Sequence, residues 1–318
     1  MSRHQPAVRR SIGLGRLEGL EPRALLSAIP AAPADVQALG ASYRMVQAGS
    51  NITYTADGSK LDITKPTGAP PPPGGFGAII ALPGGGWRHA NRKDYGGVVA
   101  ATFGPSGYVV LPTDVAYVSG SAHTWPRAVE DVRDAVRYVR EHAASLGVNP
   151  DKVVVSGESS GGHLAALAGT LDPGAFDAGH GKLVDGKATS GKPNAVIDFY
   201  GPSDLAAEWN QRPRVRSYLS GFLGGSLAQL PGRYAAASPL THVTPDDAPT
   251  FIAQGTADKA TIAETNIAFD QALKSAGVAQ QLVVLQGISH GFRFQVSTLD
   301  LGAEARAFLD RVWAKRGP

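Results

Sequence analysis

The chain has 318 residues, 43% of them hydrophobic, which is enough for a large core, and no cysteine, which excludes disulfides, thiolate metal sites and a cysteine nucleophile. Its net charge of +3 comes from the first 23 residues, where Arg3, Arg9, Arg10, Arg16 and Arg23 stand against Glu18 and Glu21; the remaining body is formally neutral, which argues against a nucleic-acid partner. No run approaches the roughly 18 consecutive apolar residues of a spanning helix, so no integral membrane span is expected.

Residues 1–41 read as a leader and flexible N-terminal segment. The basic start followed by LLSAIPAAPA has the charge and small-residue exit of an export signal, although Arg16, Glu18, Glu21 and Arg23 interrupt its apolar core. It resembles the LE.R.LLS leaders of some exported bacterial proteins. That implies a periplasmic or extracellular location, with a disordered cytoplasmic tail as the alternative.

From residue 42 onward a single domain is expected. Ser42 to Val46, Ile52 to Thr55 and Leu61 to Thr64 read as short strands, with Asp57-Gly58 as a hairpin turn between the last two. Pro70 to Pro73 with Gly74 and Gly75 breaks any strand and reads as a loop. The apolar runs FGAIIAL, GYVVLP, KVVV, NAVIDFY, PTFIAQG and QLVVL then follow, most of them separated by helical patterns. The clearest helix runs from Pro126 to Leu146: Val129, Val132, Val136, Val139 and Ala143 form its apolar stripe, and Arg127, Glu130, Arg133, Asp134, Arg137 and Glu141 a solvated face. Such alternation predicts an α/β fold, a mostly parallel central sheet flanked by helices on both faces. Residues 171–194 and 203–249 lack periodicity and read as loops, the second a loop-rich insertion over the sheet edge.

The chemistry centres on Gly157-Glu158-Ser159-Ser160-Gly161, which fits G-x-S-x-G between a strand and a helix, the context of a nucleophile elbow. A serine hydroxyl is a poor nucleophile until a base takes its proton and a carboxylate orients that base. On such an elbow the acid and then the histidine follow the serine in the chain. Of the later histidines, His163 lies on the helix of the elbow itself and reads as packing, while His180 and His242 lie in irregular segments; His290 directly follows the last strand. Asp258 sits just past the end of the preceding strand and is preferred to Asp204, also after a strand, and to Glu264, inside the next helix. Gly84-Gly85-Gly86 lets backbone approach a substrate closely, and the N–H of Ser160 would complete an oxyanion hole; a phosphate cradle is disfavoured because no P-loop lysine follows.

LPGGGWRHANRKDYGG, the stretch from WPRAVEDV through SGESSGGHLAALAG, SPLTHVTPDDAPTFIAQGTADKATIAE and GISHGF together resemble the esterase branch of the α/β-hydrolases. The nearest group holds hormone-sensitive-lipase-like esterases and bacterial acetylxylan or feruloyl esterases. The resemblance implies an α/β-hydrolase fold, Ser159, Asp258 and His290 as the triad, Gly85, Gly86 and Ser160 as the oxyanion hole, and Trp87 beside the acyl pocket. The chain departs from that pattern at Pro83, where the group has histidine, at residues 113–118, and after Asp258. The expectation is a metal-independent, cofactor-free serine hydrolase acting on a small-molecule or carbohydrate ester with a short acyl group. An amidase, formamidase or peptidase on the same triad, or a catalytically silent binding module, are the alternatives. Nothing in the sequence sets the oligomeric state.

Overall fold

The computed structural model describes residues 43–316 except 121, 173, 176–182 and 185–186; the leader, residues 1–41, and His180 lie outside the described residues. Eight strands form the central sheet: β1 Arg44–Thr53, β2 Lys60–Thr67, β3 Phe76–Leu82, β4 Tyr108–Pro112, β5 Val148–Glu158, β6 Ala195–Phe199, β7 Thr250–Gly255 and β8 Gln280–Leu285. Their spatial order is β1-β2-β4-β3-β5-β6-β7-β8. β1 and β2 run antiparallel and β2 meets β4 antiparallel, whereas β4, β3 and β5 to β8 are parallel neighbours. This is the α/β-hydrolase architecture, and its parallel part brings the carboxyl ends of six strands to one edge.

The period-two alternation of the buried strands divides the core. Ala78, Ile80 and Leu82 of β3 join the cluster under α2 (Arg127–Glu141) and α3 (Ser160–Thr170), while Ile79 and Ala81 join the cluster under α1 (Arg92–Phe103) and α8 (Leu301–Arg316). A smaller cluster seats Phe269 and Leu273 of α7 (Ala263–Ser275) against Ile252 of β7 and Ala166 of α3.

Three readings of the sequence change. The first two expected strands are one, because β1 absorbs register shifts between Gln47 and Gly49 and between Gly49 and Ile52 instead of ending. The charged face of α2 is not wholly solvated: Arg133 and Arg137 are buried, and Gly191 packs directly on both. The segment 203–249 carries α4 (Leu205–Gln211), α5 (Arg216–Leu223) and α6 (Pro231–Ala236). Each is too short to show a helical period: Asp204 caps α4, α5 is set by burial of Leu219, Phe222 and Leu223, and α6 by burial of Tyr234. No helix of the described residues is long and apolar enough to cross a membrane.

Candidate active site

β5 ends at Glu158 and α3 begins at Ser160, so Ser159 alone makes the corner, at φ 52° and ψ −121°. That conformation is costly for a residue with a Cβ and persists only where its surroundings hold it. The Ser159 N–H donates to the Phe199 carbonyl of β6 and its own carbonyl accepts from the His163 N–H, both at 2.9 Å. The flanking glycines are required by contact. A Cβ on Gly161 would collide with the Leu82 carbonyl, and one on Gly157 with the backbone of Gly161, so any side chain there pushes α3 off the sheet.

Ser159 Oγ lies 2.9 Å from His290 Nε2, and His290 Nδ1 lies 2.7 Å from Asp258 Oδ2. Three segments separated by 131 and 32 positions in the chain meet because β5, β7 and β8 are parallel and discharge their loops at the same edge. Asp258 is fully engaged: Oδ1 accepts the N–H groups of Ala260 at 2.7 Å and Thr261 at 2.9 Å, and Gln254 Nε2 donates to Oδ2 at 3.4 Å. Burial by itself would raise its carboxyl pKa. The His290 imidazole and the amides of Thr261 and Ala260 outweigh that and hold it below the usual carboxylate range. An ionised Asp258 fixes the proton of His290 on Nδ1, leaving Nε2 free to accept from Oγ.

A cavity of about 410 Å³ opens above Ser159, bordered by Gly85, Gly86, Trp87, Ser160 and His290. Gly85 and Gly86 have φ of 148° and 62°, and a Cβ on Gly85 would strike the His89 carbonyl. Ser160, first residue of α3, presents its N–H at the positive end of that helix. In place of a histidine, Pro83 enters the loop buried. The loop is tied elsewhere: the Val118 N–H donates to the Trp87 carbonyl at 2.8 Å, and Arg88 Nη2 donates to the Ser217 carbonyl at 2.6 Å. Residues 113–118, a second departure from the resembled pattern, thus support the loop on one side.

The BD-FAE family model matches residues 61–273, two thirds of the chain and all of the elements that carry Ser159, Asp258 and the glycine loop. The chain belongs to the BD-FAE family. Esterase LipQ of Mycobacterium tuberculosis is 30% identical over 203 residues, 63% of this chain and 46% of that protein. The acetylxylan esterase of Xylanibacter ruminicola is 26% identical over 219 residues, 68% of this chain and 41% of that protein. The chain thus spans about half the length of the curated relatives it matches. Among solved structures, the esterase Est2 of Thermogutta terrifontis superposes with a TM-score of 0.61 at 28% identity, covering 87% of this chain and 93% of that one.

In this BD-FAE protein the remaining sequence candidates have other partners. His163 is buried, accepts from Trp87 Nε1 on Nδ1 at 3.2 Å and donates from Nε2 to the Ala237 carbonyl at 2.7 Å. Burial pushes its pKa down to about 4, so it stays neutral. Through that bond His163 orients Trp87, whose ring stacks on Phe222 with centroids 4.9 Å apart and walls the cavity. Asp204 caps α4, Oδ1 accepting from Ala206 and Ala207 at 3.0 Å. His242 Nε2 lies 2.8 Å from the Ala236 carbonyl, and Glu264 is exposed in the first turn of α7. Among the described residues no group of three or more histidine and carboxylate side chains is arranged to hold a metal ion.

Several residues that border the BD-FAE site were not found from sequence, Pro202, Ala260 and Thr261 among them. Glu208, Val215, Tyr218 and Leu219 come from the segment read as loop and line the cavity. Tyr200, also missed, packs edge-on against His290 with ring centroids 4.7 Å apart. None carries a motif; only the aromatic and aliphatic content of α5 hinted at a buried face.

Proposed function

We propose that this protein is a serine carboxylester hydrolase that cleaves short-chain acyl esters through an acyl-enzyme. The observation that carries the reading is the unbroken chain Asp258–His290–Ser159, at 2.7 and 2.9 Å, beneath a cavity bordered by Gly85, Gly86 and Ser160. His290 Nε2 accepts the Ser159 proton as Oγ bonds to the acyl carbon. The N–H groups of Gly85, Gly86 and Ser160 hold the oxygen that becomes negative, each such donor contributing about 2.7–4 kcal/mol. The ester C–O bond then breaks as His290 returns the proton to the leaving alcohol, and water repeats both steps to release the acid. Asp258 remains ionised throughout and stabilises the imidazolium.

The buried Trp87 and Leu219 side chains give the cavity an apolar wall close to Ser159, which favours a short acyl chain. Likeness to an acetylxylan esterase supports a carbohydrate alcohol. Turnover of 4-nitrophenyl acetate, butyrate and octanoate, acetylated xylan and a matched anilide tests both points. Acetate and butyrate should lead. An anilide turned over faster than its ester, or octanoate faster than acetate, would overturn the reading.

A further inference from the structure

A second cavity, of about 500 Å³, opens beside the first and shares Val215, Tyr218, Ala260 and His290 with it. It touches neither Ser159 nor Gly85, Gly86 or Ser160; its remaining wall includes Ser289, next to His290 in the chain. The geometry of ester cleavage assigns this space a side. The departing alcohol must receive its proton from His290 Nε2, so its oxygen lies toward His290 while the carbonyl oxygen lies toward the glycines. A cavity that meets His290 but not the oxyanion donors is where the body of that alcohol extends.

Two cations border it, Arg214 and Lys259, both exposed. Neither has an ion pair or a side-chain hydrogen bond among the described residues. Neighbouring arginines are tied down: Arg88 Nη2 to the Ser217 carbonyl, Arg212 Nη2 to the Asp258 carbonyl and Arg216 Nε to the Trp209 carbonyl. The nearby acids do not compensate Arg214 and Lys259. Asp258 is committed to His290, and Glu208 is buried in the wall of the first cavity, its Oε1 accepting the Ile262 N–H, with burial pushing its pKa up to about 8. Tyr218 lines both cavities with a half-open ring, and Arg88 holds it from one side, the guanidinium carbon 4.3 Å from the ring centroid. A flat, braced ring of this kind suits the face of a sugar.

We propose that the cavity bordered by Arg214, Lys259 and Tyr218 is the leaving-alcohol subsite, and that it selects alcohols carrying a carboxylate, as in a uronic-acid-bearing carbohydrate. The inference rests on the hydrolase reading and adds the charge class of the alcohol. A guanidinium and an ammonium with no counter-ion among the described residues bind a carboxylate by charge-assisted hydrogen bonds and favour its approach at low ionic strength.

The test compares 4-nitrophenyl acetate with its 3-carboxylate, 5-acetoxy-2-nitrobenzoate, each corrected for its uncatalysed rate. The ratio of kcat/KM should favour the carboxylate about tenfold at low salt, mainly through KM. It should shrink as ionic strength rises from roughly 0.05 to 0.5 M. In the Arg214→Gln/Lys259→Gln double variant the ratio should collapse to near one. Both side chains are exposed, so folding survives their change, and a ratio is insensitive to the fraction of active protein. A wild-type ratio of one or less, or a preference that persists in the double variant, overturns the subsite while leaving the hydrolase reading intact. Hydrolysis of neither ester overturns the hydrolase reading and this inference with it.

Discussion

Ser159 is held in an unfavourable backbone conformation by two hydrogen bonds and by contacts that tolerate no side chain at Gly157 or Gly161, and this raises its Oγ toward His290. A fluorophosphonate probe should therefore label Ser159, and Ser159→Ala should abolish labelling and lower ester turnover by at least about 10⁴-fold. Ser156 is the internal control, being fully buried with its Oγ 2.7 Å from the Tyr95 hydroxyl. Label found on Ser156 or Ser160 would remove Ser159 from its role. The two histidines of the region separate by function in the same way. His290→Ala should be nearly as damaging to kcat as loss of the serine. His163→Ala should keep kcat within about tenfold yet lower stability by ~1–3 kcal/mol, because it leaves the Trp87 indole N–H and the Ala237 carbonyl buried without partners. Steady-state kinetics beside urea unfolding distinguishes these outcomes, and a reversal would exchange the two assignments.

At the scale of elements, the glycine loop after β3 is the part of the site whose support was rebuilt. Proline at position 83 has no N–H and cannot brace a loop by hydrogen bonding as an imidazole can. It does fix its own φ near −65° and restricts Leu82 before it. The bonds from Val118 to Trp87 and from Arg88 to Ser217 then anchor the far side of the loop to residues 113–118 and to α5. With both ends held, Pro83→His should change kcat by less than about tenfold, or roughly 1.4 kcal/mol of barrier. A rise of a hundredfold or more, measured on 4-nitrophenyl acetate, would show that the natural loop presents its donors poorly. The helices α4 and α5 and the turn between them have a comparable place: they supply Glu208, Val215, Tyr218 and Leu219 to the cavity, so the segment read as loop contributes a whole wall.

At the scale of the molecule, buried acids give the stability a pH dependence of definite sign. Burial pushes Glu208 and Asp198 each up to about 8, with the Ile262 N–H and Gly201 N–H opposing the shift. A carboxyl whose folded pKa lies above its unfolded value holds more protons when folded. Its stabilising effect is full below about pH 4 and is lost as pH rises through the folded value near 8. His163 acts in the opposite sense, costing stability as pH falls below its unfolded value of about 6.5 toward 4. Glu208→Gln removes one acid from this balance. Relative to the wild type, its unfolding free energy should improve by ~1–3 kcal/mol between about pH 5 and 8.5, read by urea denaturation at each pH. A difference that is flat with pH would mean that Glu208 is ionised in the folded state.

How much of this was legible in the sequence follows from what is local and what is not. The six parallel strands could be read because each holds a short apolar run bounded by glycine or proline, and the elbow because a strand, a serine between glycines and a helix are contiguous in the VVVSGESSGGHLAAL stretch. Chain order then pointed to Asp258 and His290 among several acids and histidines, since both directly follow strands. The one continuous β1, the buried Arg133 and Arg137, and the helices between residues 203 and 249 were not readable. Bulges, the covering of a charged helix face, and helices of six to eight residues are decided by what packs on them, not by their own composition. The sequence by itself determined the fold class and the chemical types available at the sheet edge, because periodicity and turn residues act over a few positions. Only the tertiary structure placed the Trp87 indole N–H on His163, brought His290 Nε2 within 2.9 Å of Ser159 Oγ, and set Arg214 and Lys259 at one cavity. Those pairings depend on which loops the parallel sheet delivers to one edge, across separations that no local pattern encodes.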